Sequence, residues 1–145
     1  MNEILKFAFA VNHSNLFEQK HFGDADKFII YALNGKEISF VDEVENPYRI
    51  FKEEKKHGSQ QKGKAIIHLL KDEGVKVFVS RQFGQNIKVI NSHFIPVIVS
   101  VEEPIEAIEI LKRHINWIED ELINKSSDYK LFLMKKGILK TIIKK

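Results

Sequence analysis

Residues 62–80 read KGKAIIHLLKDEGVKVFVS and decide the fold class. Apolar residues recur three and four positions apart over about Lys62–Glu73, which predicts an amphipathic helix. Gly74 follows at the place where many helices end in a left-handed conformation. Val75–Ser80 is then apolar enough for a strand that is buried on both faces. A helix followed at once by a buried strand predicts an α/β protein.

Three further strands are predicted before this unit. Ile4–Val11 has few polar positions and predicts a first strand that is covered on both faces. Lys27–Leu33 and Lys36–Val44 predict the second and third strands. Asn34-Gly35 between them is a strong hairpin signal, so these two strands should pair antiparallel.

The second half of the chain continues the alternation of strands and helices. Ile87–Phe94 has strand propensity, although its length and context also allow a short helix. Ile95–Val99 predicts another short strand. Ser100 and Glu103 have the spacing of a capping box, and the apolar pattern after them predicts one long helix to about Asn124. The order of elements predicts a three-layer α/β fold with a mixed sheet flanked by helices.

The C-terminal segment is basic. From Lys125 to Lys145 seven lysines stand against one acid, so this segment carries +6 and the remaining 124 residues carry −3. Such a segment attracts nucleic acid, a membrane surface or an anionic cofactor, or it is a solvated lysine-rich surface. Its two apolar runs, on either side of Lys135-Lys136-Gly137, predict a hairpin. We expect it to dock on the long helix near Trp117 or on a second chain, which would give a homodimer.

Composition excludes several classes of protein. At 145 residues, with 43% hydrophobic and 30% charged residues, the chain is expected to be a single folded domain. It contains no cysteine, which excludes disulfides, thiolate metal sites and cysteine nucleophiles. There is no signal-peptide pattern and no apolar run of about 18 residues, so we expect a cytoplasmic protein without membrane contact.

Loop histidines are the residues that could carry chemistry, because the common enzyme motifs are missing. His13 and His21 follow the first strand, His57 precedes the first helix, and His93 is a further candidate loop histidine. Arg81 and the segment Gly84–Asn86 follow another strand, so three loops could converge where open α/β sheets bind ligands. An imidazole binds iron well, but a loop histidine can equally cap nearby backbone. For His68 and His114, within helices, we expect a structural role.

One segment resembles a known family. His21-Phe22-Gly23-Asp24-Ala25-Asp26-Lys27-Phe28 is similar to the His-Phe-Gly-x-Ala-x-x-Phe motif of the dinitrogenase iron-molybdenum cofactor biosynthesis family, the NifX- and NafY-like proteins. His57-Gly58, Gly74-Val75-Lys76-Val77 and Gly84-Gln85-Asn86 resemble further family motifs in the same order. The resemblance covers about Ile4–Leu111.

The resemblance implies a ribonuclease-H-like fold without nuclease activity, in which Gly84–Ser92 is a helix. It also implies a non-enzymatic protein that binds or carries an iron-molybdenum cofactor, its precursor or a related metal cluster, and exchanges it with a donor or acceptor protein. We expect His21 and His57 to bind the metal. The residues expected to bind the cofactor are His13, His21, Gly23, His57, Gly58, Arg81, Gly84 and Asn86.

The expected organisation is a cofactor-binding domain over residues 1–125, with residues 126–145 as a C-terminal hairpin extension of the same domain. Two alternatives belong to other functional classes. The first is a nucleic-acid-binding module that uses the basic C-terminal segment. The second is a hydrolase in which His21 and Asp24 form an acid-base pair.

Overall fold

The computed structural model describes residues 4–48, 56–84, 87–135 and 138–142, and for residues 56–61 and 138–142 it describes the backbone alone. These residues form a single mixed sheet with helices on both faces. The strands are β1 (Lys6–Val11), β2 (Lys27–Asn34), β3 (Glu37–Glu45), β4 (Val75–Ser80), β5 (Ile95–Val99), β6 (Leu131–Lys135) and β7 (Ile138–Ile142). The helices are α1 (Lys56–Asp72), α2 (Ile87–Ile90), α3 (Pro104–Arg113) and α4 (Ile115–Asn124), and a 3-10 turn covers Phe22–Asp24.

The sheet has seven strands in the order β3-β2-β1-β4-β5-β6-β7. β2 is antiparallel to both β1 and β3, whereas β1, β4, β5 and β6 are parallel to one another. β7 is antiparallel to β6. The carboxyl ends of four parallel strands therefore lie at one edge, and the loops after β1 and β4 leave the sheet side by side.

Side-chain alternation along β1 separates the two apolar layers. Phe7, Phe9 and Val11 pack on the face that α3 and α4 cover. Ala8 and Ala10 face the other way, toward α1 and α2. The small alanines leave room on this second face for a group of phenylalanines. The rings of Phe22, Phe83 and Phe94 each lie 5.1–5.9 Å from that of Phe78.

The predicted strands are confirmed, and two of them match to the residue. β4 and β5 have the predicted bounds Val75–Ser80 and Ile95–Val99. β2 and β3 pair antiparallel across Asn34-Gly35, and Gly35 has a φ of +66°. Gly74, at the end of α1, has a φ of +80°, as a left-handed helix end requires.

Helix boundaries differ from the predictions at three places. α1 begins at Lys56 and not near Lys62, so it includes two glycines, each of which costs about 1 kcal/mol of helix propensity. The propensity cost is offset by tertiary packing, because Lys62 is buried against the 3-10 turn. The ambiguous segment after residue 86 is a helix, but α2 is shorter than the predicted Gly84–Ser92.

The predicted long C-terminal helix is wrong, because α3 and α4 are separate helices. His114 joins them with φ −120° and ψ 23°, and its N–H donates to the carbonyl of Leu111. Its ring packs on Trp117 at 4.7 Å between centroids. The predicted capping box is displaced by one turn, since Glu103 caps α3 and Glu106 completes the box. An apolar stripe continues through such a break, so periodicity alone does not reveal it.

The C-terminal strands extend the sheet beyond β5, and their buried side chains pack in the layer that contains α4. The sequence predicted docking on a helix or on a second chain but not this pairing with the sheet. β6 pairs in parallel with β5. Tyr129, Phe132 and Met134 are buried in the same apolar layer as Ile118 of α4. Within the described residues, no helix is both long enough and apolar enough to cross a membrane.

Candidate functional site

The position of His21 is fixed by its neighbour Phe22. Phe22 is 1% exposed, and its ring lies 5.1 Å from that of Phe78 and 5.7 Å from that of Phe83. Its backbone N–H donates to the carbonyl of Gln82 at 3.1 Å. His21 itself is exposed. The chain therefore presents an accessible imidazole on a loop that is anchored in the core one residue later.

His21 lies directly against Gly84, on the loop that follows β4. A Cβ atom at position 84 would lie 2.9 Å from Cε1 and 3.0 Å from Nε2 of the His21 ring. Gly84 also has a φ of +60°, a conformation that side chains disfavour. A further bond links the two loops, because the Gln82 side chain donates to the carbonyl of Gln19 at 2.9 Å. The structure thus brings together two of the three loops whose convergence was predicted.

Gly23 brings α1 to the same turn. A Cβ atom at Gly23 would lie 3.1 Å from Cε of Lys62, a side chain that is 7% exposed. The Lys62 ammonium binds Asp24 Oδ1 at 3.1 Å. Asn46, which is buried, donates from its amide to the carbonyls of Gly23 and Ala25 at 3.1 and 2.9 Å. Contacts from α1 and from the segment after β3 therefore hold the 3-10 turn on its inner side.

Asp24 is paired with Lys62, which bears on the hydrolase alternative. The carboxylate of Asp24 receives the Lys62 ammonium, and the backbone N–H of Asp24 donates to the carbonyl of His21 at 2.9 Å. The carboxylate is therefore already engaged by a cation within the fold. This geometry favours a structural role for Asp24 in the turn.

His13 has a carboxylate partner of its own. Its backbone N–H donates to Asp26 Oδ2 at 2.8 Å, and its ring Nε2 lies 3.7 Å from Asp26 Oδ1. The backbone N–H of Asp26 in turn donates to the carbonyl of Val11, at the end of β1. A loop histidine can serve only to hold nearby groups in place, and these contacts give His13 such a structural role.

The other candidate residues lie on α1 or after β4. His57 and Gly58 belong to the backbone of α1 and not to a loop before it, while the side chain of His57 lies outside the described residues. At 1.5 Å per residue, they precede Lys62 along the helix axis by about 6–8 Å. Arg81 is half-buried immediately after β4, and Asn86 lies outside the described residues.

The family with the description "dinitrogenase iron-molybdenum cofactor" matches residues 3–115. The chain belongs to this family. The match extends from the residues before β1 to the start of α4, and it includes every residue that was considered for cofactor binding. The resemblance that the His21-Phe22-Gly23 segment indicated is thus confirmed. No curated protein matches the chain.

A preformed metal site is not found in the part of this family member that the structure describes. No three His, Asp or Glu side chains among the described ones are grouped so that they could hold a metal ion. No described group hydrogen-bonds to the ring of His21, although Gly84 packs against it. The imidazole is therefore accessible to a ligand that arrives from solvent.

Three residues of the site were missed at the sequence level. Asn46 stands in Glu45-Asn46-Pro47, which is a turn signal but contains no indication of the two carbonyls that it binds. Lys62 looks like any lysine of a charged segment, and Gln82 like a loop residue. Each acts through a contact more than 20 residues away in sequence, and a local pattern does not encode such a contact.

A Gly84→Ala substitution should disturb His21 in this cofactor-family protein. We expect a loss of about 1–2 kcal/mol of unfolding free energy from the left-handed backbone, and a displaced His21 ring. Gly35→Ala is the matched control, because Gly35 has the same backbone conformation with no atom within 4 Å of its added Cβ. Denaturant unfolding and the histidine NMR signals measure the two effects. An unchanged His21 signal in Gly84→Ala would contradict the contact.

Proposed function

We propose that this protein binds or carries an iron-molybdenum cofactor, its precursor or a related metal cluster, and that it does so without catalysing a reaction. The observation that supports the proposal best is the exposed imidazole of His21, held against Gly84 at the carboxyl ends of β1 and β4. Membership of the cofactor family supports it independently.

The chemistry of this arrangement suits a bulky cluster. Imidazole nitrogen is a good ligand for iron, and the sequence offers no cysteine thiolate that could compete with it. The missing side chain at Gly84 lets the ring pack against the loop after β4, which holds the imidazole in place for a ligand that arrives on its exposed side. The anchored Phe22 and the bonds of Asn46 fix the turn before the ligand arrives, which lowers the ordering cost of binding.

We assign the remaining candidates by their position. His57 would supply a second ligand from α1, and Gly58 would let the ligand approach that helix. Arg81 would add positive charge, because Lys62 is already paired with Asp24. Asn86 would act beside Gly84. We rank His13 as the weakest candidate, since its ring lies beside Asp26.

The wider assignment follows from the same proposal. Residues 1–125 would be the cofactor-binding domain and residues 126–145 an extension of it, in a cytoplasmic protein that receives its cluster from one protein and passes it to another. A ribonuclease-H-like arrangement is supported by the mixed sheet, in which β2 alone among the first five strands is antiparallel to β1.

Anaerobic reconstitution tests the proposal directly. The purified protein is mixed with iron-molybdenum cofactor, with an iron-sulfur cluster or with buffer, and is then separated by gel filtration. We expect visible absorbance and iron to elute with the protein for at least one cluster. Bovine albumin, treated in the same way, controls for adsorption. If no cluster elutes with the folded protein above the albumin background, the carrier proposal is wrong.

A further inference from the structure

A groove lies between α1 and α2, and neither His21 nor the turn after it lines this groove. The groove has a volume of about 250 Å³ and is lined by Lys64, Ile67, His68, Lys71, Val89 and His93. Its floor is apolar, because Ile67 is buried and Val89 is half-buried. Its rim consists of two lysines and two histidines. No acidic side chain is among the described residues that line it.

Three basic residues of α1 line this groove. Lys64, His68 and Lys71 are spaced at i, i+4 and i+7, so they lie along one side of the helix. The negative end of the helix dipole favours Lys71, which stands in the last turn, but it does not account for the other two.

His93 brings a fourth basic group from the segment after α2. Its ring Nδ1 lies 3.4 Å from the Lys71 ammonium. The pKa of His93 is lowered by desolvation first, and then by the charges of Lys71 and His68. An ammonium can only donate, so Nδ1 of His93 accepts this bond and the other ring nitrogen, Nε2, is left for a ligand. Among the residues that the structure describes, no acidic side chain lines the groove to neutralise its two lysines, so its charge suits a ligand that is negative.

We propose that the groove between α1 and α2 binds the phosphate group of a small molecule, with Lys64, Lys71, His68 and His93 as its donors and the apolar floor beneath the rest of the ligand. A phosphate offers several acceptor oxygens, and ammonium and imidazolium groups bind it by charge-assisted hydrogen bonds. The groove is larger than inorganic phosphate requires, so an attached organic group also fits. This site does not depend on cluster binding at His21.

Histidine NMR titration with inorganic phosphate is the test, with chloride at equal ionic strength as the reference. We expect the His68 and His93 ring signals to shift saturably, while those of His13 and His114 stay in place. The ring of His93 should also titrate at a higher pH when phosphate is present, because the anion offsets the charge of Lys71. Shifts that chloride reproduces, or that involve all four histidines equally, would overturn the proposal.

Variants make the assignment specific. Lys71→Gln should weaken phosphate binding about tenfold or more, since one charge-assisted hydrogen bond is lost. Lys36→Gln is the matched control, because Lys36 is exposed at the β2–β3 turn. If Lys71→Gln does not fold, Lys64→Gln takes its place. Equal phosphate affinity in the parent protein and in the groove variant would refute the site.

Sulfate separates the contribution of His93 from the ionisation of phosphate itself, because sulfate remains a dianion across the range of measurement. His93 has a lowered pKa and is largely neutral above it, so it adds charge to the groove only as the pH falls. Sulfate affinity should therefore rise on acidification, and this rise should be smaller in His93→Gln. An identical pH dependence in both proteins would exclude His93 from the site.

Discussion

His21→Ala should abolish most cluster retention in the gel-filtration assay, with affinity reduced about 100-fold or more. In metal sites generally, loss of a residue that only supports a ligand lowers metal affinity about 10–100-fold. Loss of the ligand itself should lower the affinity at least as much. Stability should change by less than about 1 kcal/mol, because the ring is exposed and Phe22 anchors the turn without it. Iron content and visible absorbance after separation measure the effect.

Two other histidines provide matched controls for His21→Ala. His68→Ala removes an exposed histidine on α1, and His13→Ala removes one that is bound to Asp26 on the same loop as His21. Both variants should retain far more cluster than His21→Ala. If His21→Ala binds as well as the parent while His13→Ala does not, the ligand assignment must move to His13. If all three variants bind equally, none of these imidazoles is a ligand.

The sheet could be predicted from sequence because each strand carries its own signal. β4 is an unbroken apolar run that ends a helical pattern, and Asn34-Gly35 allows few conformations other than a tight turn. These features depend on neighbouring residues alone. Local sequence was therefore sufficient for the bounds of β4 and β5 and for the antiparallel pairing of β2 with β3.

Tertiary contacts decided the features that were mispredicted. The apolar periodicity does not reach Lys56, where α1 begins, and Lys62 packs on the turn of Gly23 through a contact between residues far apart in sequence. The break at His114 leaves the apolar spacing unchanged on either side. β6 could have paired with another chain or packed on a helix, and its sequence does not distinguish these partners from the edge of β5.

The candidate site was predicted in part, for a physical reason. Motif order placed His21 and Gly84 on loops that follow parallel strands, and such loops meet at one edge of a sheet. The pairs that support the turn, Asn46 with Gly23 and Lys62 with Asp24, combine common residue types at large separations. The sequence therefore indicated the exposed residues of the site better than the contacts that hold them.

Phe132→Ala should cost about 3–5 kcal/mol of unfolding free energy, the usual range for a buried phenylalanine. Phe132 is 2% exposed and lies on β6, in the apolar layer that α3 and α4 cover. A small domain has about 5–15 kcal/mol to lose, so the variant should still fold at low temperature. Denaturant unfolding of the parent and the variant measures the difference.

Leu133→Ala is the matched control, because Leu133 is the next residue of β6 and is half-buried. It should cost clearly less than Phe132→Ala. Truncation after Lys125 should be more severe than either, since it also removes the buried Tyr129 and Met134 and leaves the edge of β5 unpaired. If the truncated protein is monomeric and has the same free energy of unfolding as the parent, these strands do not stabilise the fold.

Cluster binding by Phe132→Ala separates stability from function. Phe132 belongs to the layer of α3 and α4, whereas Phe22 and Phe83, which anchor the loops of His21 and Gly84, belong to the opposite layer with α1. The sheet lies between the two layers. At a temperature where the variant is folded, its cluster affinity should therefore equal that of the parent within about twofold, a free-energy difference of less than about 0.5 kcal/mol. A large loss of affinity in the folded variant would mean that the C-terminal strands belong to the cofactor site, and the assignment of residues 126–145 as an extension would be wrong.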